Sequence, residues 1–185
     1  MKKACILLAE GFEEVEAVTP IDYLRRAGIE VTVLGLGGRT ISGSHSITIV
    51  ADAALGEIAA ATTYDAVIVP GGMPGAAHLA ESRDVVALIR RHFAAGHIIA
   101  GICAAPAVVL HGACGIMEGK RFTGFPGTEG KVKGGLPVDE KVVVDGNLIT
   151  SKGAGTAGEF AVAIIGALTD GEMAETIAER VLLRL

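Results

Sequence analysis

The sequence lacks the features with which proteins hold nucleic acids. It contains no tryptophan, two tyrosines and five phenylalanines in 185 residues, and its 21 acidic residues outnumber 16 basic ones to give a formal net charge of −5. Nucleic-acid-binding surfaces are basic and often carry aromatic side chains that stack on bases. We therefore expect no stable nucleic-acid complex, which does not exclude nucleotides as small substrates.

Long apolar segments are also missing. No stretch reaches the length that a membrane-spanning helix needs, so we expect no membrane partner. The basic start at residues 1–3 resembles a signal peptide, but the apolar run 4–9 is too short and meets Glu10. The three cysteines form no C-x-x-C pair, which argues against zinc, and their odd number is typical of a reducing compartment. These features predict a cytoplasmic protein.

What the sequence does contain is typical of an α/β protein. Half of the residues are apolar, and many of the 26 glycines fall where strand and helix patterns meet. Such a composition suits a buried parallel sheet covered by helices. Residues 1–185 show no repeat, linker or change of composition, which predicts one domain.

Strand and helix patterns alternate along the chain. Strands are predicted at 3–9, 31–36, 66–69 and 97–102, with hairpins at 39–50 and at 141–145 with 148–150. Helices are predicted at 13–27, 82–95, from 104 onward, 156–168 and 172–185. This alternation predicts a doubly wound, mostly parallel sheet with helices on both faces.

Cys103 is the strongest candidate for chemistry. It directly follows the predicted strand 97–102 and precedes a predicted helix, so it lies at the edge of the sheet where open α/β folds bind ligands. A helix amino terminus favours the thiolate, and small neighbours permit a nucleophile elbow in which the Ala104 N–H is free to hold an oxyanion. The alternative is a buried structural cysteine, as expected for Cys5 and Cys114.

Residues 70–72, Pro-Gly-Gly, end the neighbouring strand pattern. Two glycines allow a sharp turn that exposes N–H groups beside Cys103, which makes the Gly72 N–H the second candidate oxyanion donor. An ordinary strand-ending turn explains the same residues equally well.

Three glutamates, Glu13, Glu14 and Glu16, open the first predicted helix. Acidic residues in a first turn suit the helix dipole. A helical wheel, however, places Glu16 on the apolar stripe that faces the sheet and Glu14 on another side, nearer Arg25. Burial beside a thiolate would raise the pKa of Glu16, which could then donate a hydrogen bond to sulfur or shuttle a proton.

A second apolar side of the same helix carries Val15 and Val18. This side lies away from the stripe that faces the sheet. Two apolar sides on one helix indicate burial on both, which predicts a homodimer interface at these valines.

Four segments in order resemble the ThiJ/PfpI superfamily, and most closely its branch with the Parkinson-disease protein DJ-one and bacterial YajL. They are 11–16 (GFEEVE), 69–72 (VPGG), 100–106 (AGICAAP) and 150–156 (TSKGAGT). The resemblance spans essentially the whole chain and implies a flavodoxin-like sandwich and a homodimer. It also implies Cys103 as an oxidation-sensitive nucleophile, a protonated Glu16 beside it, and backbone donors at Gly72 and Ala104.

The sequence departs from relatives at several positions. Phe125 stands where the human member has a histidine near its cysteine, as in YajL-like members, which leaves Glu16 as the proton carrier. His45 replaces an arginine near the site and is a candidate anion contact. PfpI-type proteases carry a histidine where this chain has Ala104, and glutamine amidotransferases need a His-x-Glu downstream of His111, so neither activity is expected.

The resemblance implies two functions that share Cys103. One is an enzyme, a glyoxalase that needs no glutathione or a deglycase of methylglyoxal or glyoxal adducts, acting on small 2-oxoaldehydes without metal or organic cofactor. The alternative is a non-enzymatic redox sensor or chaperone in which peroxide converts Cys103 to the sulfinate. Both imply protection against oxidative stress.

Overall fold

The computed structural model describes residues 1–59 and 61–184, and strands and helices alternate along them. The strands are β1 (Lys3–Leu8), β2 (Glu30–Gly35), β3 (Thr40–Ser42), β4 (Thr48–Val50), β5 (Ala53–Ala54), β6 (Ala66–Val69), β7 (Ile98–Ile102), β8 (Arg121–Phe122), β9 (Leu136–Pro137), β10 (Val142–Asp145) and β11 (Leu148–Ser151). The helices are α1 (Glu14–Arg26), α2 (Gly75–Glu81), α3 (Arg83–Ala94), a π-helix (Pro106–Ala113), α4 (Ala157–Leu168) and α5 (Gly171–Arg180). Among these described residues, no helix is both long and apolar enough to cross a membrane.

Seven strands form one sheet in the order β10-β11-β7-β6-β1-β2-β5. Every adjacent pair is parallel except β10 and β11, which form a hairpin at one edge. The predicted doubly wound, mostly parallel sheet is therefore confirmed. Two short pairs lie outside it, the antiparallel hairpin β3–β4 and the parallel pair β8–β9.

Successive residues of the central strand β1 point to opposite faces of the sheet and build two cores. Ala4, Ile6 and Leu8 pack with residues of α1, α4 and α5, whereas Cys5 and Leu7 pack with residues of α2, α3 and the π-helix. Burying each large apolar side chain in these cores contributes about 1.5–3 kcal/mol. The carboxyl edge of the sheet is thus a rigid support for the turns that follow β1, β6 and β7.

Helix α3 begins and ends as its sequence signals predict. The Ser82 Oγ accepts a hydrogen bond from the Val85 N–H, which satisfies one of the free donors of the first turn. Gly96 follows the helix with a φ of +82°, the left-handed conformation that commonly ends a helix.

The last helix is shorter than predicted. The pattern predicts a helix over 172–185, but α5 ends at Arg180, and Leu185 lies outside the described residues. Leu182 adopts a φ of +58°, and the Leu183 N–H donates to the Ala178 carbonyl over 2.9 Å. The chain turns here because Leu183 packs against the core beside Gly158 instead of continuing into solvent.

Candidate active site

Cys103 lies at the sharp turn between β7 and the π-helix. Its φ is +63°, in the left-handed region that residues other than glycine seldom adopt. Its N–H donates to the Ser151 carbonyl over 2.9 Å, and its carbonyl accepts from the Phe125 N–H over 2.8 Å. These two neighbouring segments hold a strained backbone that presents the thiol, as a nucleophile elbow does.

The turn after β6 lies against this elbow because Gly71 has no side chain. A Cβ on Gly71 would lie 2.7 Å from the Cys103 Cβ and 3.0 Å from the Ala104 nitrogen. Those distances are shorter than van der Waals contact allows, so only glycine lets the two turns approach this closely.

Two backbone N–H groups lie near enough to the Cys103 sulfur to lower the pKa of its thiol. They belong to Gly72, in the turn after β6, and to Ala104, the next residue of the elbow. These are the donors predicted from the sequence, and the structure brings both of them to the sulfur. Their action on a substrate oxygen stays a prediction.

Glu16, in the first turn of α1, reaches the same sulfur from the other side. It is 1 % exposed, its Oε2 accepts from the Gly71 N–H over 2.8 Å, and it is hydrogen-bonded to the Cys103 thiol. Burial raises the pKa of Glu16 to about 7, helped by the charge of Glu13 and opposed by the two hydrogen bonds. Near neutral pH this carboxyl group can therefore either take up or release a proton.

The Cys103 thiol is not acidified by its place before a helix. Burial raises the pKa of Cys103 to about 12, with a further contribution from the Glu16 charge, and the N–H groups of Gly72 and Ala104 oppose this only in part. The N–H of Ala104 at the helix start lowers the thiol pKa, as expected, but burial beside the Glu16 carboxylate outweighs it, so the thiol rather than the free thiolate is favoured. With these pKa values the pair holds two protons below about pH 7 and one proton above it, and transfer of the thiol proton to the Glu16 carboxylate leaves a thiolate that faces three donors.

Glu14 lies at the start of α1 beneath the tip of the hairpin β3–β4. Although the helical wheel places it away from the sheet-facing stripe, it is buried. Its Oε1 accepts from the N–H groups of His45 (2.7 Å) and Ile47 (3.3 Å), and its Oε2 lies 3.1 Å from the His45 Nδ1. Burial raises the pKa of Glu14, but the hydrogen bonds outweigh it and lower the pKa to about 2.

His45 is exposed and contacts the protein's own carboxylates. Its Nδ1 lies 3.1 Å from Glu14 and 3.5 Å from Glu13, and first the hydrogen bond to Glu14, then the two charges, raise its pKa. Its contact with a substrate anion stays a prediction. Within residues 1–59 and 61–184 this trio is also the one group of three side chains that could share a metal ion. The hydrogen bonds already satisfy the Glu14 oxygens without an ion.

The remaining predicted residues lie apart from the sulfur. Val15 and Val18 are 48 % and 46 % exposed on the outer side of α1, and their place in a dimer interface stays a prediction. Cys5 and Cys114 are buried, and burial raises the pKa of both thiols. Cys103 is thus the most accessible of the three cysteines.

Several contacts of the site were not predicted. The sequence suggested the Gly72 donor but not the Gly71 N–H that holds Glu16, nor the Ser151 carbonyl that fixes the elbow. The doublet of glycines and the segment 150–156 were the available signals. Neither pattern shows which backbone group meets which partner.

A strained cysteine elbow at the carboxyl edge of a flavodoxin-like sheet, with a buried carboxyl group at its sulfur, defines a class of α/β proteins with a reactive cysteine. A model of the DJ-1/PfpI family matches residues 2–167. The chain belongs to that family, which confirms the resemblance of the four sequence segments.

Two curated relatives match over nearly their whole length. Protein dj-1beta of Drosophila melanogaster is 41 % identical over 184 residues, which cover 98 % of this chain and 97 % of the relative. The glutathione-independent glyoxalase DJR-1.2 of Caenorhabditis elegans is 35 % identical over 178 residues, 95 % of this chain and 94 % of the relative.

Solved structures agree with the fold along the whole chain. The C103A mutant of a DJ-1 superfamily protein from Salmonella typhimurium superposes with a TM-score of 0.95 at 40 % identity and covers 100 % of both chains. Oxidized DJ-1 of Toxoplasma gondii superposes with a TM-score of 0.96 at 34 % identity, again over 100 % of both chains.

Proposed function

We propose that the protein is a glutathione-independent glyoxalase that converts a small 2-oxoaldehyde, such as methylglyoxal, into the corresponding 2-hydroxy acid. The observation that carries this proposal is the hydrogen-bonded pair of Cys103 and Glu16 with two N–H donors at the sulfur. The name of the Caenorhabditis elegans relative supports the same activity. Adducts of methylglyoxal or glyoxal are proposed as further substrates.

The first step joins the Cys103 sulfur to the aldehyde carbon. The thiol proton moves to the Glu16 carboxylate as the S–C bond forms, and the carbonyl electron pair moves to oxygen. The N–H groups of Gly72 and Ala104 hold that oxygen, which then takes the proton from Glu16 to give a hemithioacetal. The thiol pKa of about 12 does not prevent this step, because proton transfer accompanies attack.

The second step moves a hydrogen between two carbons of the bound substrate. The Glu16 carboxylate removes the proton from the former aldehyde carbon to give an enediolate and returns it to the neighbouring carbon, while the hydroxyl proton passes from the former aldehyde oxygen to the neighbouring oxygen. The product is a thioester of the 2-hydroxy acid on Cys103. Water cleaves it and restores the thiol, so one carbon is oxidised, the other is reduced, and no external oxidant is needed.

The test is lactate formation from methylglyoxal without glutathione by wild type, Cys103→Ser and Glu16→Gln. Turnover by the wild type that both variants lose supports the proposal. Cys114→Ala is a matched control, because this cysteine is buried away from the elbow, and it should retain turnover. Full turnover by Cys103→Ser would rule the mechanism out, and full turnover by Glu16→Gln would remove the role of Glu16.

A redox sensor or chaperone is the second candidate, favoured by the exposure of Cys103 relative to the other two cysteines. One peroxide molecule would convert the Cys103 thiolate to the sulfenate and a second to the sulfinate, each releasing water or hydroxide. The same N–H groups and a protonated Glu16 would stabilise the sulfinate. Intact mass after mild peroxide should show two added oxygens in wild type and none in Cys103→Ser. Random oxidation would argue against sensing.

We also propose that Val15 and Val18 pack in a homodimer interface. They expose about half of their side chains on one side of α1. Replacing both with aspartate should shift the molecular mass from dimer to monomer in size exclusion with light scattering. Val144 is equally exposed but lies on β10, so Val144→Asp is the matched control. A monomeric wild type would refute the proposal.

A further inference from the structure

A small gap beside the Gly153 α-carbon is bounded by Glu16 and by the ring of Phe125. A Cβ on Gly153 would project into it, 3.8 Å from the Glu16 Oε1 and 3.9 Å from the Phe125 Cδ2. Apart from the chain neighbours of Gly153, no other heavy atom of the described residues lies within 4 Å of that point. The Glu16 carboxyl group and the edge of the Phe125 ring therefore bound a gap that would hold one methyl group at Gly153.

The backbone of Phe125 is fixed to the nucleophile. Its N–H donates to the Cys103 carbonyl over 2.8 Å, and its own carbonyl accepts from the Thr128 N–H (3.0 Å) and Oγ1–H (2.6 Å). The side chain is nevertheless 51 % exposed. An apolar ring held at a site and left half in water gains free energy when a ligand covers it.

Gly153 is not required by the backbone conformation. Its φ of 165° and ψ of −167° are extended and open to any residue. The distances of 3.8 and 3.9 Å are ordinary van der Waals contacts, so an alanine would fit without overlap. What the glycine provides is therefore room for about one methyl group beside Glu16 and Phe125.

We propose that Phe125 and Gly153 form a subsite for the substituent of the substrate. The wall is an apolar ring, so the substituent that fits it is an alkyl or aryl group. The protein would thus prefer aliphatic and aromatic 2-oxoaldehydes to glyoxal, whose substituent is hydrogen. This inference rests on the proposed glyoxalase function.

Three substrates that differ only in the substituent test the subsite: glyoxal, methylglyoxal and phenylglyoxal. Loss of a stacked ring should lower the ratio of kcat/KM for phenylglyoxal over glyoxal by about three- to tenfold in Phe125→Ala. Gly153→Ala should lower the same ratio because the methyl group fills the gap. Val144→Ala, which removes an exposed apolar side chain far from the elbow in sequence, is the control and should leave the ratio unchanged. An unchanged ratio in both site variants overturns the subsite.

Failure of the glyoxalase function is distinguishable from failure of the subsite. If wild type converts none of the three aldehydes, the proposed function is refuted. The subsite is then tested separately by the rate at which Cys103 is alkylated. Rates with iodoacetamide and its N-benzyl derivative, followed by intact mass, give the preference for an aromatic group without turnover. A benzyl preference that falls at least threefold in Phe125→Ala supports the subsite, and an equal preference in both proteins overturns it.

Discussion

The Gly71 N–H donates to the Glu16 Oε2 over 2.8 Å, and a Cβ on Gly71 would lie only 2.7 Å from the Cys103 Cβ. One residue thus holds the carboxyl group and makes room for the thiol. The distance between acid and sulfur therefore depends on the turn after β6 as well as on α1 and the elbow.

Gly71→Ala should damage both the site and the fold. The added methyl would lie 2.7 Å from the Cys103 Cβ and 2.8 Å from the Glu16 Oε2, so the turn must move. We expect the free energy of unfolding in urea to fall by about 1–3 kcal/mol and methylglyoxal turnover to disappear. Gly171→Ala, where the methyl meets open space, should be as stable as wild type. Equal stability of both variants would contradict this account.

Glu16 should destabilise the fold as pH rises. Its pKa is raised from 4.5 to about 7 on folding, so the unfolded chain releases the proton first, and stability falls between pH 4.5 and 7. Glu16→Gln should therefore raise the free energy of unfolding by about 1–3 kcal/mol at pH 8 and change it little at pH 4.5. Urea titrations at both pH values measure this difference. A variant that is less stable than wild type at pH 8 would contradict the assignment.

His92 is a buried group that favours the neutral form. Its Nε2 accepts the Tyr64 N–H over 3.1 Å, and its Nδ1 donates to the Leu88 carbonyl over 2.7 Å. Burial lowers the pKa of His92, and the charges of Arg91 and His97 lower it further against the hydrogen bond to Leu88. Protonation of the Nε2 would place two donors against each other.

Acid should therefore destabilise the protein partly through His92. Its folded pKa lies below the unfolded value, so its contribution is present above the unfolded pKa and is lost as pH falls. A glutamine at this position can both accept and donate without titrating. We expect the loss of unfolding free energy between pH 7.5 and 5 to be smaller in His92→Gln than in wild type. The matched control is His78→Gln, because His78 is exposed. If His92→Gln lost as much unfolding free energy between pH 7.5 and 5 as wild type, His92 would have no part in the acid sensitivity.

Glu14 should hold the tip of the hairpin β3–β4. Glu14→Ala leaves the N–H groups of His45 and Ile47 without their acceptor, at a stability loss of about 1 kcal/mol. Hydrogen exchange of residues 43–47 should accelerate, whereas Glu13→Ala, which removes no acceptor of a hairpin N–H, should leave it slow. Because folding lowers the Glu14 pKa from 4.5 to about 2, this contribution is present above pH 4.5 and is lost toward pH 2. If residues 43–47 exchanged at the same rate in both variants, the role of Glu14 in holding the hairpin would be refuted.

The sheet was predictable because its signals are local. The continuous apolar run of β1 and the glycines after α1 and α3 mark strands and helix ends without knowledge of the rest of the chain. Helix α2 was not predicted, since its seven residues are too short to show a helical period. It is stabilised by burial of Ala76 and Leu79 in the core on one face of the sheet.

The positions of the site residues could be predicted from the sequence, but their pKa values could not. The junction of strand and helix identified Cys103 and Ala104, yet the raised thiol pKa depends on how deeply Glu16 is buried, which no local pattern shows. Phe125 and Gly153 follow different strands, and only the folded chain brings the ring and the carboxyl group to one gap.

The hydrogen bond from the Cys103 N–H to the Ser151 carbonyl also fixes an order of events during synthesis. The acceptor leaves the ribosome 48 residues after the cysteine, so the elbow cannot close on its native partner while the chain is being extended through that interval. The environment that sets the pKa of this thiol therefore forms only after Ser151, just before α4, has left the ribosome.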